Sequence, residues 1–227
     1  MKLATVCDHT FIDSIIGNKS IVLDLGANRC SFANHMISTY GAEVIAVEPN
    51  PALVAKWDDN PRLTAVNKAV GENKDQTPFY ITRNSESSSI DKPETADVLR
   101  EIRVDCVTLQ QLFEICNIGT VDLLKIDIEG SEIEMLKNAP DELLKSIPQI
   151  TVEFHDFNGR VSKTEVRRVI ERLTRLNFGY ISLWMRSYGD VLFFNREKVN
   201  VSALRHLYVR TVFKTGRWIR GKVRRTV

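Results

Sequence analysis

Short apolar runs alternate with helix-like segments along most of the chain. Ser20–Leu25 (SIVLDL) is continuous, β-branched and short, which predicts a buried strand. Phe32–Tyr40 follows as a helix, and Gly41 ends it. Glu43–Val47 is the next strand, Pro51 predicts a helix start running to Trp57, and Leu63–Val66 is a third, shorter strand. Strand starts recur at close to 20 residues, the length a βαβ crossover needs.

The middle is less regular. Thr77–Thr82 and Ile102–Val107 alternate like exposed strands on either side of a serine-containing loop, Arg83–Thr95. Thr108 is placed as an N-cap for Leu109–Cys116. Val121–Ile126 reads as a strongly buried strand, Ser131–Asn138 as its helix and Gln149–Phe154 as the strand after that. Lys163–Leu176 is amphipathic, with Val166, Val169, Ile170 and Leu173 on one face. Tyr180–Trp184 and Val191–Asn195 can pair antiparallel around a turn at Ser187–Asp190. The expected fold class is α/β: a mostly parallel, doubly wound sheet with a C-terminal antiparallel strand.

Composition adds limits. The 227 residues are 43% hydrophobic and 26% charged, ordinary globular values that argue against a disordered chain. Cys7, Cys30, Cys106 and Cys116 are scattered and form no CxxC pair, so neither a zinc site nor a disulfide framework is suggested. Asp8, His9 and Asp13 interrupt the apolar run that a signal peptide requires, and no run reaches the roughly 20 residues of a membrane span. A cytoplasmic location is expected.

The net charge of +2 conceals an asymmetry. From Arg196 onward ten basic residues meet a single acid, Glu197, so the tail carries +9 and the rest −7. Residues 1–195 are therefore read as one domain and 196–227 as a basic amphipathic tail. Within it Val201, Leu204, Leu207, Tyr208 and Val212 share a helical face. Such a tail can dock on the domain, lie on an anionic membrane surface at the periphery, or meet a phosphate-bearing acceptor. The acidic body argues against a nucleic-acid footprint.

The candidate chemistry begins at Val22–Asn28 (VLDLGAN), which puts Asp24, Gly26 and Asn28 at a strand-to-helix turn. Ligands of open α/β sheets bind beyond the carboxyl ends of the strands. Gly26 would let backbone approach a ligand without a Cβ between them. Asp24 can anchor the turn or meet a cationic amino group. Glu48 ends the next strand, where a carboxylate can accept both ribose hydroxyls of an adenosine. A dinucleotide would need a glycine-rich turn for its pyrophosphate, and here only the first glycine of GxGxxG is present. S-adenosylmethionine has no phosphate and is favoured over NAD on that ground. An NAD-dependent oxidoreductase and a non-catalytic module that binds S-adenosylmethionine stand as alternatives.

With these residues in view the sequence resembles the FkbM-type methyltransferases, within the Rossmann-like class I methyltransferases, over roughly Ser20 to Asn195. Ile21–Asn28 and Val47-Glu48-Pro49-Asn50 are similar to that family's first two strand motifs. Asn67-Lys68-Ala69-Val70-Gly71 resembles the third, which implies that Asn67 and Ala69 lie near the adenine. Ser85–Ser89, Val107-Thr108-Leu109 and Val152-Glu153-Phe154-His155 also fit, and Leu124–Glu132 (LKIDIEGSE) is the most specific piece. The family usually has glycine where this chain has Cys30, which adds a side chain where helix and strand pack closely.

The resemblance implies O-methylation of a hydroxyl on a sugar, glycan or other small metabolite. Asp127, ending the fourth strand, is expected beside both the cofactor and the transferred methyl group. Glu129 and Glu132 follow at the next helix, where carboxylates are favoured in any protein. Glu153 and His155 share a face if their strand continues, and His155 is the natural general base near neutral pH. The catalytic candidates are thus Asp127, Glu129, Glu153 and His155. Asp127, Glu153 and His155 form an alternative ligand set for Mg²⁺ or a similar ion, which would acidify a hydroxyl.

Overall fold

A computed structural model describes residues 2–71, 74–83, 88–90 and 98–200, without the side chains of 74 and 75. The basic tail from residue 201 onward, with its expected amphipathic helix, lies outside the described residues, as do Ser85 and Ser87. Among the described residues twelve strands and six α-helices are formed. The strands are β1 (Leu3–Val6), β2 (His9–Ile12), β3 (Ile21–Leu25), β4 (Glu43–Val47), β5 (Leu63–Val66), β6 (Ala69–Val70), β7 (Lys74–Thr82), β8 (Val98–Val107), β9 (Leu123–Ile126), β10 (Gln149–Val152), β11 (Phe178–Ser182) and β12 (Val191–Asn195). The helices are α1 (Ser31–Tyr40), α2 (Pro51–Val54), α3 (Leu109–Ile115), α4 (Glu132–Asn138), α5 (Asp141–Ser146) and α6 (Lys163–Arg175).

Seven strands make the main sheet, in the order β11-β12-β10-β9-β3-β4-β5. Pairings from β10 through β9, β3 and β4 to β5 are parallel, and β12 runs antiparallel to both β10 and β11. The expected architecture is therefore the observed one. The chain reverses at β3, sending β4 and β5 to one side and β9 and β10 to the other. That arrangement opens a crevice at the carboxyl end of β3.

Helix boundaries follow local chemistry. Thr108 caps α3 through a reciprocal capping box with Gln111, and Ser162 does the same for α6 with Glu165. Gly41 ends α1 at φ +67. The helix begun at Pro51 stops at Val54, three residues short of Trp57, whose indole instead donates to the Asn28 carbonyl at 2.9 Å.

Alternate residues along the strands face opposite layers. Leu23, Leu25, Leu124, Ile126, Ile150 and Val152 pack with α3, α4 and α6. Val22, Val44, Ala46 and Leu123 pack against α1 and Phe11. Two features differ from the sequence expectation. The exposed strands β7 and β8 pair with each other, and β6 joins β8, in a separate three-stranded sheet. The first residues form a hairpin of β1 and β2 whose second strand is buried along its whole length. It is fixed to the far side of the main sheet. Thr10 donates through its backbone and hydroxyl to Asp190, and the Ile12 amide donates to Gln149.

Candidate active site

The crevice is a cavity of about 580 Å³, large enough for a nucleoside-sized ligand. Gly26, Asn28, Glu48, Ala69, Asp127, Glu129, Glu153 and His155 all line it. Two expected site residues stand behind the wall. Asp24 is fully buried on β3, and the cationic group it meets is the Lys125 ammonium, 3.0 Å away on the neighbouring strand. Asn67 donates to the carbonyls of Glu48 and Pro49 and braces the turn after β4.

Gly26 is required by a neighbour rather than by a ligand. It sits at φ +75, and a Cβ there would come within 1.7 Å of the Asp127 carbonyl oxygen. The turns after β3 and β9 thus touch backbone to backbone, which brings Asp127 to the cavity. Asn28 and Cys30 also have left-handed backbones, φ 47 and 62. A glycine at position 30 would adopt that conformation without the cost a Cβ brings.

Glu48 accepts from the Asn28 amide with one oxygen and from the Asn50 amide with the other, each at 2.9 Å. Burial pushes its carboxyl up to about 7 in spite of these donors. Its place at the end of β4 leaves it facing the cavity.

Lys125 was not among the sequence candidates. The pattern does contain a signal for it, because a lysine inside a strand buried on both faces needs a partner. Its ammonium donates to the Gly26 carbonyl at 2.8 Å and stands 3.5 Å from Asp127 Oδ2. Burial alone would lower its affinity for a proton, but the Asp24 and Asp127 carboxylates raise it, so the charge is kept. Burial would likewise push Asp127 up. Lys125, His9 and His155 instead hold it well below the usual carboxylate range.

β10 ends at Val152, and His155 opens a 3₁₀ turn, so Glu153 and His155 reach the cavity from different local structures rather than from one strand face. His155 is 2% exposed, and both ring nitrogens face carboxylates: Nδ1 to Glu132 at 2.9 Å and Nε2 to Glu129 at 3.3 Å. Burial works against its charge, yet these two partners raise it to about 11. It is an imidazolium at neutral pH. Glu132 is fully buried and also accepts from the Gly130 amide, while Arg160 pairs with Glu129 at 3.0 Å. The Glu153 carboxyl group has no hydrogen bond or ion pair among the described residues, and burial together with the nearby Asp127 charge raises it above the ordinary value.

The hairpin supplies a residue that no local pattern announced. His9 is fully buried, lines the cavity and places Nε2 3.6 Å from Asp127 Oδ2. Among the described residues two triplets bring potential metal donors within 4.8 Å of one another: His9, Asp127 and Glu153, and Asp127, Glu129 and His155. The set expected from the sequence, Asp127 with Glu153 and His155, is not one of them, because His155 turns toward Glu129 and Glu132.

The family described as the methyltransferase FkbM domain matches residues 24–192. The chain belongs to the FkbM methyltransferase family. Its match thus runs from Asp24 on β3 to Leu192 on β12, with the hairpin preceding it. Methyltransferase 1 of Beauveria bassiana is 26% identical over 165 residues, covering 62% of this chain and 66% of that protein. Methyltransferase sdnD of Sordaria araneosa is 24% identical over 192 residues, covering 67% and 73%. The chain thus spans about two thirds of the length of these relatives. Among solved structures it is similar to the precorrin-6y C5,15-methyltransferase of Geobacter metallireducens, at 10% identity and TM-score 0.42, covering 79% of this chain and 80% of that one. It is also similar to M. capricolum TrmK in complex with S-adenosylhomocysteine, at 10% identity and TM-score 0.43, covering 85% and 70%. Among the described residues no helix is long and apolar enough to cross a membrane.

Proposed function

We propose that the protein transfers a methyl group from S-adenosylmethionine to a hydroxyl oxygen of a sugar, glycan or other small metabolite. The observation that carries this reading is the joint lining of one cavity by Glu48 on one side and by the acidic group of Asp127, Glu129 and Glu153 on the other. A ribose diol suits the Glu48 carboxylate, and a wall of carboxylates suits a ligand with cationic sulfonium and ammonium groups. The missing phosphate-binding glycines argue against a dinucleotide. The cofactor when bound supplies an activated methyl group and leaves as the neutral thioether.

The chain's own part is to hold the acceptor in line and take its proton. His155 is unsuited to this, since both nitrogens are engaged by carboxylates. That leaves the corner of Asp127, Glu153 and His9 to orient the hydroxyl, with the Glu153 carboxylate, whose proton affinity burial raises, to receive its proton. Calorimetric titration is expected to show binding of S-adenosylmethionine and none of NAD. Incubation with methyl-labelled cofactor and a cell extract is expected to yield a labelled product that mass spectrometry assigns to an O-methyl group. Tight NAD binding, or label found only on nitrogen or carbon, would overturn the proposal. Binding without any labelled product would favour the non-catalytic module instead.

A further inference from the structure

We propose that the His9–Asp127–Glu153 corner binds one divalent transition-metal cation of the Mn²⁺ type. The three residues come from the hairpin, the end of β9 and the end of β10, and their donor atoms all lie within 4.8 Å of one another. An octahedral ion with metal–oxygen and metal–nitrogen distances of roughly 2.1 Å separates its donors by about 3–4.2 Å. The His9 Nε2 to Asp127 Oδ2 distance of 3.6 Å falls in that range.

The imidazole is the independent pointer. His9 is fully buried, and its Nε2 has no hydrogen-bond partner among the described residues. A buried nitrogen left this way costs about 1–3 kcal/mol unless something meets it. Its other nitrogen stands 3.5 Å from the Thr151 hydroxyl, the outer-shell contact that fixes a ligating histidine's ring. The ring also meets the edge of Phe32. The strand that carries it is held by the Asp190 and Gln149 bonds. This nitrogen is aimed rather than loose.

Charge points the same way. The cations His155 and Arg160 are taken up by Glu129 and Glu132, away from Glu153. Lys125 does approach Asp127 at 3.5 Å, but Asp24 sits closer, at 3.0 Å. The Lys125 charge is therefore matched chiefly on β3. One imidazole beside two carboxylates suits a first-row transition ion better than Mg²⁺ or Ca²⁺, which prefer oxygen alone, and Mn²⁺ is the paramagnetic probe of that class. A sulfonium, by contrast, has no use for a nitrogen lone pair.

This binding does not rest on the methyl-transfer reading, so it is tested without cofactor or acceptor. The full chain, freed of metal with a chelator, is titrated with Mn²⁺ and followed by electron paramagnetic resonance. The expected result is about one bound Mn²⁺ per chain, with ¹⁴N coupling from the histidine in the pulsed spectrum. His9→Gln removes that coupling and weakens binding at least about tenfold. Glu153→Gln weakens it similarly, while the surface control Glu134→Gln changes nothing. Failure of the unaltered protein to bind Mn²⁺, or binding without ¹⁴N coupling, would overturn the proposal. So would a His9→Gln protein that binds as before. Where His9→Gln does not fold, Glu153→Gln keeps the test, because Glu153 belongs to this corner and not to the Asp127–Glu129–His155 group.

Discussion

Two histidine–carboxylate groups share one cavity wall. His155 is enclosed by Glu132 and Glu129, with Arg160 behind, and every charge there has a partner. His9 faces Asp127 and Glu153, and its Nε2 has no hydrogen-bond partner among the described residues. The residue types are almost the same, so composition cannot distinguish the groups. Saturation of the donors and acceptors does. The closed group is built as scaffold, while the open one keeps its bonding capacity for something that arrives later.

The largest expected effect breaks the closed group. Glu132→Ala leaves the His155 charge short of its buried partner and strips the Gly130 amide of its acceptor. A loss of about 3–5 kcal/mol in denaturant unfolding is predicted. A loss under about 1 kcal/mol would show that the two groups do not differ in kind. Asp127→Ala tests the open group. Turnover is expected to fall roughly 10²–10³-fold while far-UV circular dichroism stays unchanged. Near-normal methylation by that variant would remove Asp127 from the chemistry.

A smaller effect concerns the opposite wall. Burial holds Glu48 at about 7, above its unfolded value. The folded state therefore binds this proton more tightly, and the free protein is predicted to lose stability as pH rises from about 4.5 to 7. A diol that needs the ionised carboxylate reverses the preference. Affinity for S-adenosylmethionine should rise between pH 6 and 8, with proton release on binding near pH 6.5. Calorimetry in buffers of different ionisation enthalpy measures that release, and proton uptake would contradict the assigned role. The smallest expected effect is at Cys30. Cys30→Gly relieves a left-handed backbone but gives up a buried thiol, so the midpoint of thermal unfolding should shift by the equivalent of about 1 kcal/mol or less.

The main sheet was legible because its strands and helices carry their own periods. SIVLDL, EVIAV and VDLLKI are buried on both faces and show it in single stretches. Asp127 was legible for the same reason, as the acid ending such a strand. The hairpin was not, since Leu3–Val6 and His9–Ile12 are four residues each and His9 is packed by residues as far along the chain as Thr151, 142 positions away. Helix α5 is too short to express a helical period. The alternation in β7 and β8 was visible, but periodicity does not say with which sheet a strand pairs. His155 is a valid base on paper, and only the positions of Glu129 and Glu132 take that role from it.

The fastening of the hairpin also sets an order of events for a chain leaving the ribosome. The turn that carries Gly26 can close once Asp127 has been made. His9 can be seated only after Asp190 emerges, because Thr10 is anchored there, 180 positions away. Contacts of such span form late and slowly. A nascent chain halted short of residue 190 would lack the acceptor for Thr10 and with it the fastening of the corner where His9 meets Asp127. That corner of the cavity would then be completed only when synthesis of the sheet is nearly done.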